Sequence, residues 1–191
     1  MNVFISGGAK NGKSSFAQNL AYNMAKERKC PLYYVATMIP HDDEDRARVE
    51  RHRRDRQGMG FKTIECGKAI DQEIKGREGV FLIDSVTALL SNEMFKRDGT
   101  VDGEAAIRIS ESLKELCRTH DGLVFVSDFI YSDGIKYDEV TDAYMRGLAI
   151  IDRALAEVCD RVVEMMAGFP VDYKAPKKTD MGPDAQQEDK K

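Results

Sequence analysis

The chain has 191 residues, with 29 lysines and arginines against 33 aspartates and glutamates and a net charge of −4. That length suits one domain with its own core, and 42% apolar with 32% charged residues excludes a disordered chain. No apolar run approaches the roughly 20 residues that cross a bilayer, the N-terminus has no basic segment leading into a long apolar one, and the acidic balance argues against a nucleic-acid partner, so a cytoplasmic protein without an integral membrane segment is expected.

In chain order, the apolar run 2–6 (NVFIS) reads as a strand, 13–26 as a helix and 32–36 (LYYVA) as a second strand. An arginine-rich helix follows at 42–56, then an alternating strand at 61–65 (FKTIE) that suits a sheet edge. Strands at 80–84 (VFLID), 123–127 (LVFVS) and 161–165 (RVVEM) are interleaved with helices at 87–95, 103–118 and 138–159. In 103–118, Ile107, Ser110, Leu113, Lys114 and Cys117 fall near one stripe; in 138–159, Tyr144, Leu148, Ile151, Leu155 and Val158 recur three and four apart. The stretch 169–174 (FPVDYK) fits a last edge strand, where Pro170 is tolerated. Strands alternating with helices of this length imply βαβ units, hence an α/β protein whose mostly parallel sheet is covered by helices on both faces. Residues 1–174 form one nucleotide-binding transferase domain in this reading, and 175–191, with little to bury, a disordered tail.

Cys30, Cys66, Cys117 and Cys159 are far apart, as are His41, His52 and His120. Neither set has zinc-site spacing, and four reduced, mostly buried thiols are expected.

Gly7, Gly8, Ala9, Lys10, Asn11, Gly12, Lys13 and Ser14 match GxxxxGK[ST] at every fixed position, between a predicted strand and a predicted helix. Phosphate oxygens need several donors converging on a small volume. A glycine-rich turn that bares its N–H groups, followed by the positive end of a helix, supplies them. Lys13 would reach the β and γ phosphates, and the Ser14 hydroxyl would ligate Mg²⁺. An acidic residue closing a buried strand completes such a metal site; Asp84 is the better placed candidate and Asp128 the second.

Residues 42–57 (DDEDRARVERHRRDRQ) begin acidic and then carry six arginines around one histidine. Arg48, His52 and Arg56, spaced four apart, share a helix face, while Glu44 with Arg48 and Glu50 with Arg54 are placed to pair. Such a helix can be a solvated, salt-bridged surface. It can also handle phosphate: neutral imidazole attacks phosphorus, and the guanidiniums of Arg48, Arg53 and Arg56 would neutralise the transition state.

Several of these residues together resemble one family, the bifunctional adenosylcobinamide kinase/adenosylcobinamide-phosphate guanylyltransferases of cobalamin nucleotide-loop assembly. The likeness lies in ISGGAKNGKS (5–14), YYVATM (33–38), DDEDRARVERHRRDR (42–56), FKTIE (61–65), LIDSVTALLSN (82–92), LVFVSD (123–128) and RALAEVCDRVVEMMAGFPVDYK (153–174). Within it, YxAT followed by RxxxHRxxR and an aromatic-x-T-x-E strand is more specific than the phosphate loop.

The resemblance implies a RecA-like P-loop NTPase fold, a homotrimer and two reactions. ATP or GTP phosphorylates the aminopropanol hydroxyl of adenosylcobinamide; GTP then delivers GMP to that phosphate through a guanylylated histidine, which by position is His52. It also implies that Thr37, Met38 and Ile39 contact GTP and that Glu65 and Asp84 line the nucleotide site.

The chain departs from the family pattern where SNEVG is replaced by Ser127, Asp128, Phe129, Ile130 and Tyr131. Phe61 stands in place of a tryptophan and Gln57 in place of a proline. Two other readings stay open at this point: a P-loop small-molecule kinase in which His52 is structural, and a non-catalytic nucleotide sensor.

Overall fold

The computed structural model describes residues 1–40 and 42–175, so His41 and the predicted tail beyond residue 175 lie outside the described residues. Thirteen elements follow in order: β1 (Val3–Gly7), α1 (Lys13–Arg28), β2 (Leu32–Ala36), α2 (Asp43–Asp55), β3 (Lys62–Glu65), α3 (Ile70–Ile74), β4 (Val80–Asp84), α4 (Val86–Met94), α5 (Ala105–Thr119), β5 (Leu123–Val126), α6 (Glu139–Val158), β6 (Arg161–Met166) and β7 (Phe169–Lys174). They build one seven-stranded sheet in the order β3-β2-β4-β5-β1-β6-β7, parallel except for β7.

β1, β4 and β5 are near-continuous apolar runs because both of their faces are covered. Val3, Ile5, Leu82 and Val124 face the side covered by α1, through Ala17, Ala21 and Met24. Phe4, Phe81, Ile83 and Phe125 face the other side, covered by α3 to α6. The edge strands read as expected: β3 is largely exposed, and β7 carries Pro170 on the outermost strand.

Three expectations are corrected. The helix α3 is too short to show a periodic pattern and was not foreseen. The buried face of α5 is Ala106, Ile109, Ser110, Leu113 and Leu116, while Ile107 is exposed, so the predicted stripe was rotated. The small side chain of Ala106 meets α6 at Gly147, where an added Cβ would come within 3.2 Å; close helix approach, not maximal hydrophobicity, selects that face. Of the thiols, Cys159 is buried and the other three are half-buried. Among the described residues no helix is long and apolar enough to cross a membrane.

Two buried polar side chains organise the interior. Asn2 donates to Cys117 O at 3.0 Å and His120 O at 2.9 Å and accepts from the N–H groups of Gly122 and Leu123, splicing the end of α5 to the start of β5. Asp152 on α6 is 3% exposed and accepts from the Tyr131 hydroxyl at 3.1 Å. Burial pushes its carboxyl up to about 7, against the opposing pull of its hydrogen-bond donors.

A carboxyl raised in the folded state favours folding most below its unfolded pKa of roughly 4, and that contribution is lost as pH rises through about 7. Asp152→Asn, which resembles the protonated carboxyl, therefore stabilises the protein by about 2–4 kcal/mol at pH 8 and by much less at pH 5. Urea unfolding at the two pH values checks this; equal effects at both would contradict it.

Candidate active site

β5 lies between β1 and β4, and the register Ile5↔Val126, Asp84↔Val126 and Ala36↔Asp84 aligns the C-terminal ends of these strands. The residues just beyond those ends converge on one edge of the sheet, where parallel α/β folds carry their ligands.

The loop after β1 needs glycine at two points. Gly7 has φ 153° and an added Cβ would lie 2.7 Å from Met165 O; Gly12 has φ 88° and caps α1 in the left-handed region. The Asn11 amide donates to Met165 O, fastening the loop to β6. Gly8 gives its carbonyl to Lys13 Nζ at 2.6 Å, and Ala9 and Lys10 form the exposed rim. No side chain caps α1 and its first turn holds no acidic residue, so the positive end of the helix faces an open cradle. Lys13 is buried and ion-paired with Asp128 at 2.9 Å. Asp128, the second acidic candidate, thus neutralises the cradle's lysine and is itself fixed by its N–H to Thr87 Oγ1 at 2.9 Å.

Asp84, closing β4, is the meeting point on the α1 side. It accepts from the Tyr34 hydroxyl at 3.0 Å, the Ser14 hydroxyl is within hydrogen-bonding reach, and His52 is close enough for its charge to act on the carboxylate. Burial raises the Asp84 pKa above the usual carboxylate range; Asp128 adds to this, while His52, Tyr34 and Ser14 oppose it. A hydroxyl and a carboxylate side by side at the phosphate cradle are hard oxygen ligands suited to Mg²⁺.

Helix α2 is set by its ends. The Asp42 carboxylate accepts from Asp45 N at 2.8 Å, and an acidic first turn with a basic last turn matches the helix dipole. Its inward face presents His52, half-buried, and then Arg56, 7% exposed at the cap. The Arg56 guanidinium lies 3.4 Å over the Tyr34 ring, whose other neighbour is Phe61, edge-on at 6.1 Å. Desolvation lowers the Arg56 pKa, with Tyr34 and Asp84 opposing. His52 Nδ1 and one terminal nitrogen of Arg56 are buried without a partner. Arg53 and Arg54 point outward, each 4.0 Å from Glu50. The Arg48 side chain, and with it the expected pair with Glu44, lies outside the described part.

Thr37 is buried and committed to the loop itself. Its Oγ1 donates to Ser85 O and accepts from Ser85 N, both at 2.7 Å, across from a cis Asp84–Ser85 peptide. Asn92 braces the same turn by donating to Thr37 O at 2.7 Å and Gly67 O at 2.9 Å. Met38 is half-buried and Ile39 is exposed against Gly67. Glu65 ends β3, in line with Ala36 and, one strand further, Asp84, with its side chain exposed.

The structure therefore gathers Lys13, Ser14, Asp84, His52 and Arg56, while Arg53, Ile39 and Glu65 stay at the solvent side. Tyr34 and Asn92 were missed as site residues. Both stand inside stretches that carry the family likeness, but their roles depend on partners at Asp84, Arg56 and Gly67 that only the fold supplies.

This sheet and cradle define a P-loop nucleotide-binding protein of the RecA-like class. The chain has a TM-score of 0.52 to the ATPase domain of G40P, at 15% identity over 85% of this chain and 68% of that one. More specifically, the family described as cobinamide kinase / cobinamide phosphate guanyltransferase matches residues 3–173, and the chain belongs to that family and is an enzyme of its class. It is 28% identical over 179 residues to the bifunctional adenosylcobalamin biosynthesis protein CobP of Pseudomonas aeruginosa, 91% of this chain and 98% of that protein. It is 32% identical over 106 residues to the bifunctional adenosylcobalamin biosynthesis protein CobU of Escherichia coli, 53% of this chain and 55% of that protein.

The Tyr34 ring is the surface on which the end of α2 rests. A partly buried cation–π contact contributes about 1–2 kcal/mol, so Tyr34→Leu is expected to speed amide hydrogen exchange across 43–55 about tenfold and leave β1 and β5 unchanged. Unchanged exchange in α2 would contradict this role.

Proposed function

We propose that the chain phosphorylates the aminopropanol hydroxyl of adenosylcobinamide with ATP or GTP, then transfers GMP from GTP to that phosphate through His52, releasing pyrophosphate and giving adenosylcobinamide-GDP. Family membership supports the pair of activities. The single observation that carries the histidine route is the half-buried His52 ring, Nδ1 unpartnered, beside Asp84 at the Ser14 end of the cradle.

In the kinase step, Gly7–Ser14 and the start of α1 hold the triphosphate, and Lys13 exchanges Asp128 and the Gly8 carbonyl for phosphate oxygens. Mg²⁺, held by Ser14 with Asp84, would supply charge neutralisation on those oxygens. The acceptor oxygen bonds to the γ-phosphorus as the bond to the nucleoside diphosphate breaks, and Asp128 is the carboxylate placed to take the hydroxyl proton.

In the second step a ring nitrogen of His52 bonds to the α-phosphorus of GTP and pyrophosphate leaves. The positive charge the ring gains lies beside Asp84. Arg56, braced by Tyr34, supplies positive charge to the transition state. The acceptor's phosphate then attacks the same phosphorus, the N–P bond breaks and the imidazole is restored. Thr37, Met38, Ile39 and Glu65 border the nucleotide in this reading. Assembly as a homotrimer and a cytoplasmic location belong to it as well, supported by the family likeness.

Mass spectrometry after incubation with GTP tests the route. The expected result is a gain of one GMP, stable to base and labile to acid, mapped to His52. His52→Ala abolishes this gain and guanylyl transfer while keeping phosphorylation of adenosylcobinamide, and Lys13→Ala loses both. An active protein with no GMP adduct would favour a kinase in which His52 is structural.

A further inference from the structure

Residues 127–138 join β5 to α6 with neither helix nor strand, and Asp128 stands near the start of that segment. Two backbone bonds carry the ladder with β1 past the strand end: Ser127 N–H donates to Ile5 O at 2.9 Å, and Phe129 N–H donates to Gly7 O at 3.0 Å. Asp128, between them, turns its N–H the other way, to Thr87 Oγ1 at 2.9 Å.

Helix α6 grips the same stretch from below. Asp152 is 3% exposed and accepts from the Tyr131 hydroxyl at 3.1 Å. The buried Ser127 hydroxyl is within hydrogen-bonding reach of the same carboxylate. One carboxylate therefore spans Asp128, taking the residue before it and the residue three beyond it. About two turns earlier on α6, the Tyr144 hydroxyl donates to Thr87 O at 2.9 Å, steadying the residue that receives the Asp128 N–H.

A buried carboxyl is a costly brace. Burial pushes Asp152 up to about 7; the charge of Asp128 adds to the rise, while the two hydroxyls oppose it. An apolar side chain at this helix position would cost less, and a destabilising group is retained where activity needs the geometry it holds.

In the free protein Lys13 holds the Asp128 carboxylate at 2.9 Å. Once Lys13 turns to phosphate, Asp128 keeps the anchors of its own segment. Its side chain is 36% exposed, open to an arriving hydroxyl. A proton acceptor works only within hydrogen-bond reach, and a misplacement of about 1 Å lowers a rate by about a hundredfold.

We propose that Asp152 is a positioning residue for phosphoryl transfer, fixing the Asp128 carboxylate beside the cradle by holding Ser127 and Tyr131. The assignment rests on the function proposed above, in which Asp128 takes the acceptor's proton. Asp152 touches no substrate and acts through the loop. The guanylyl step draws on His52, Asp84 and Arg56, which the Asp152 bonds do not reach, so the two activities separate.

Steady-state phosphorylation of adenosylcobinamide with ATP, read beside GMP labelling by GTP alone, tests this. Asp152→Leu is expected to lower kcat of phosphorylation by about tenfold or more, with KM for ATP within about twofold and GMP labelling at the wild-type rate. Asp152→Asn, whose amide accepts from one hydroxyl and donates to the other, restores kcat to within about threefold. Ser127→Ala with Tyr131→Phe removes the same bonds from the loop side and matches the loss in Asp152→Leu; combining all three changes lowers kcat no further. Wild-type kcat in Asp152→Leu or in the loop pair overturns the brace, as does an equal loss of phosphorylation and GMP labelling, which marks a structural role. Wild-type kcat in Asp128→Ala overturns the reading of Asp128 and the brace with it; a loss in Asp128→Ala beside an unaffected Asp152→Leu overturns the brace alone.

Discussion

Asp84 holds together parts of the molecule that the chain keeps far apart. Its carboxylate meets the Tyr34 hydroxyl from β2, the Ser14 hydroxyl from the first turn of α1 and the field of His52 from α2. Burial makes that charge costly, and these neighbours offset the cost. Because Tyr34 also carries Arg56 on its ring, the same carboxylate indirectly sets where the arginine-rich helix ends. Without that anchor, α2 would be a solvated charged helix with no reason to face the phosphate cradle.

The second constraint is the self-neutralised cradle. Lys13 is buried, and a buried ammonium needs partners; Asp128 and the Gly8 carbonyl provide them in the free protein. A triphosphate brings its own negative charge, so binding exchanges one set of partners for another. Released from Lys13, Asp128 is a carboxylate at the cradle free to take a proton.

Much of this was legible in the residues. The phosphate loop was readable because its chemistry is local: a strand end, glycines at fixed spacing and the next helix. The buried strands were readable because a sheet covered on both faces needs unbroken apolar runs, and Asp84 was singled out by closing one of them. The arginine-rich helix was read as a helix, but spacing alone could not say that Arg56 turns inward to a tyrosine while Arg53 stays with Glu50. Asn2 was taken as the start of a strand, because its partners lie 115 to 121 residues away. No local spacing distinguishes the buried Asp152 from the exposed charges of its helix, and the α5 face was misjudged because close packing on Gly147 favours alanine over isoleucine.

The central claim is that His52 reaches the α-phosphorus of a nucleotide seated in the Gly7–Ser14 loop. A crystal structure with a non-hydrolysable GTP analogue and Mg²⁺ measures this directly. The account predicts a ring nitrogen about 3–3.5 Å from the α-phosphorus, in line with the bond to the β-phosphate and with Arg56 still stacked on Tyr34. A ring turned away from the α-phosphate, with the γ-phosphate alone engaged by the protein, would contradict it.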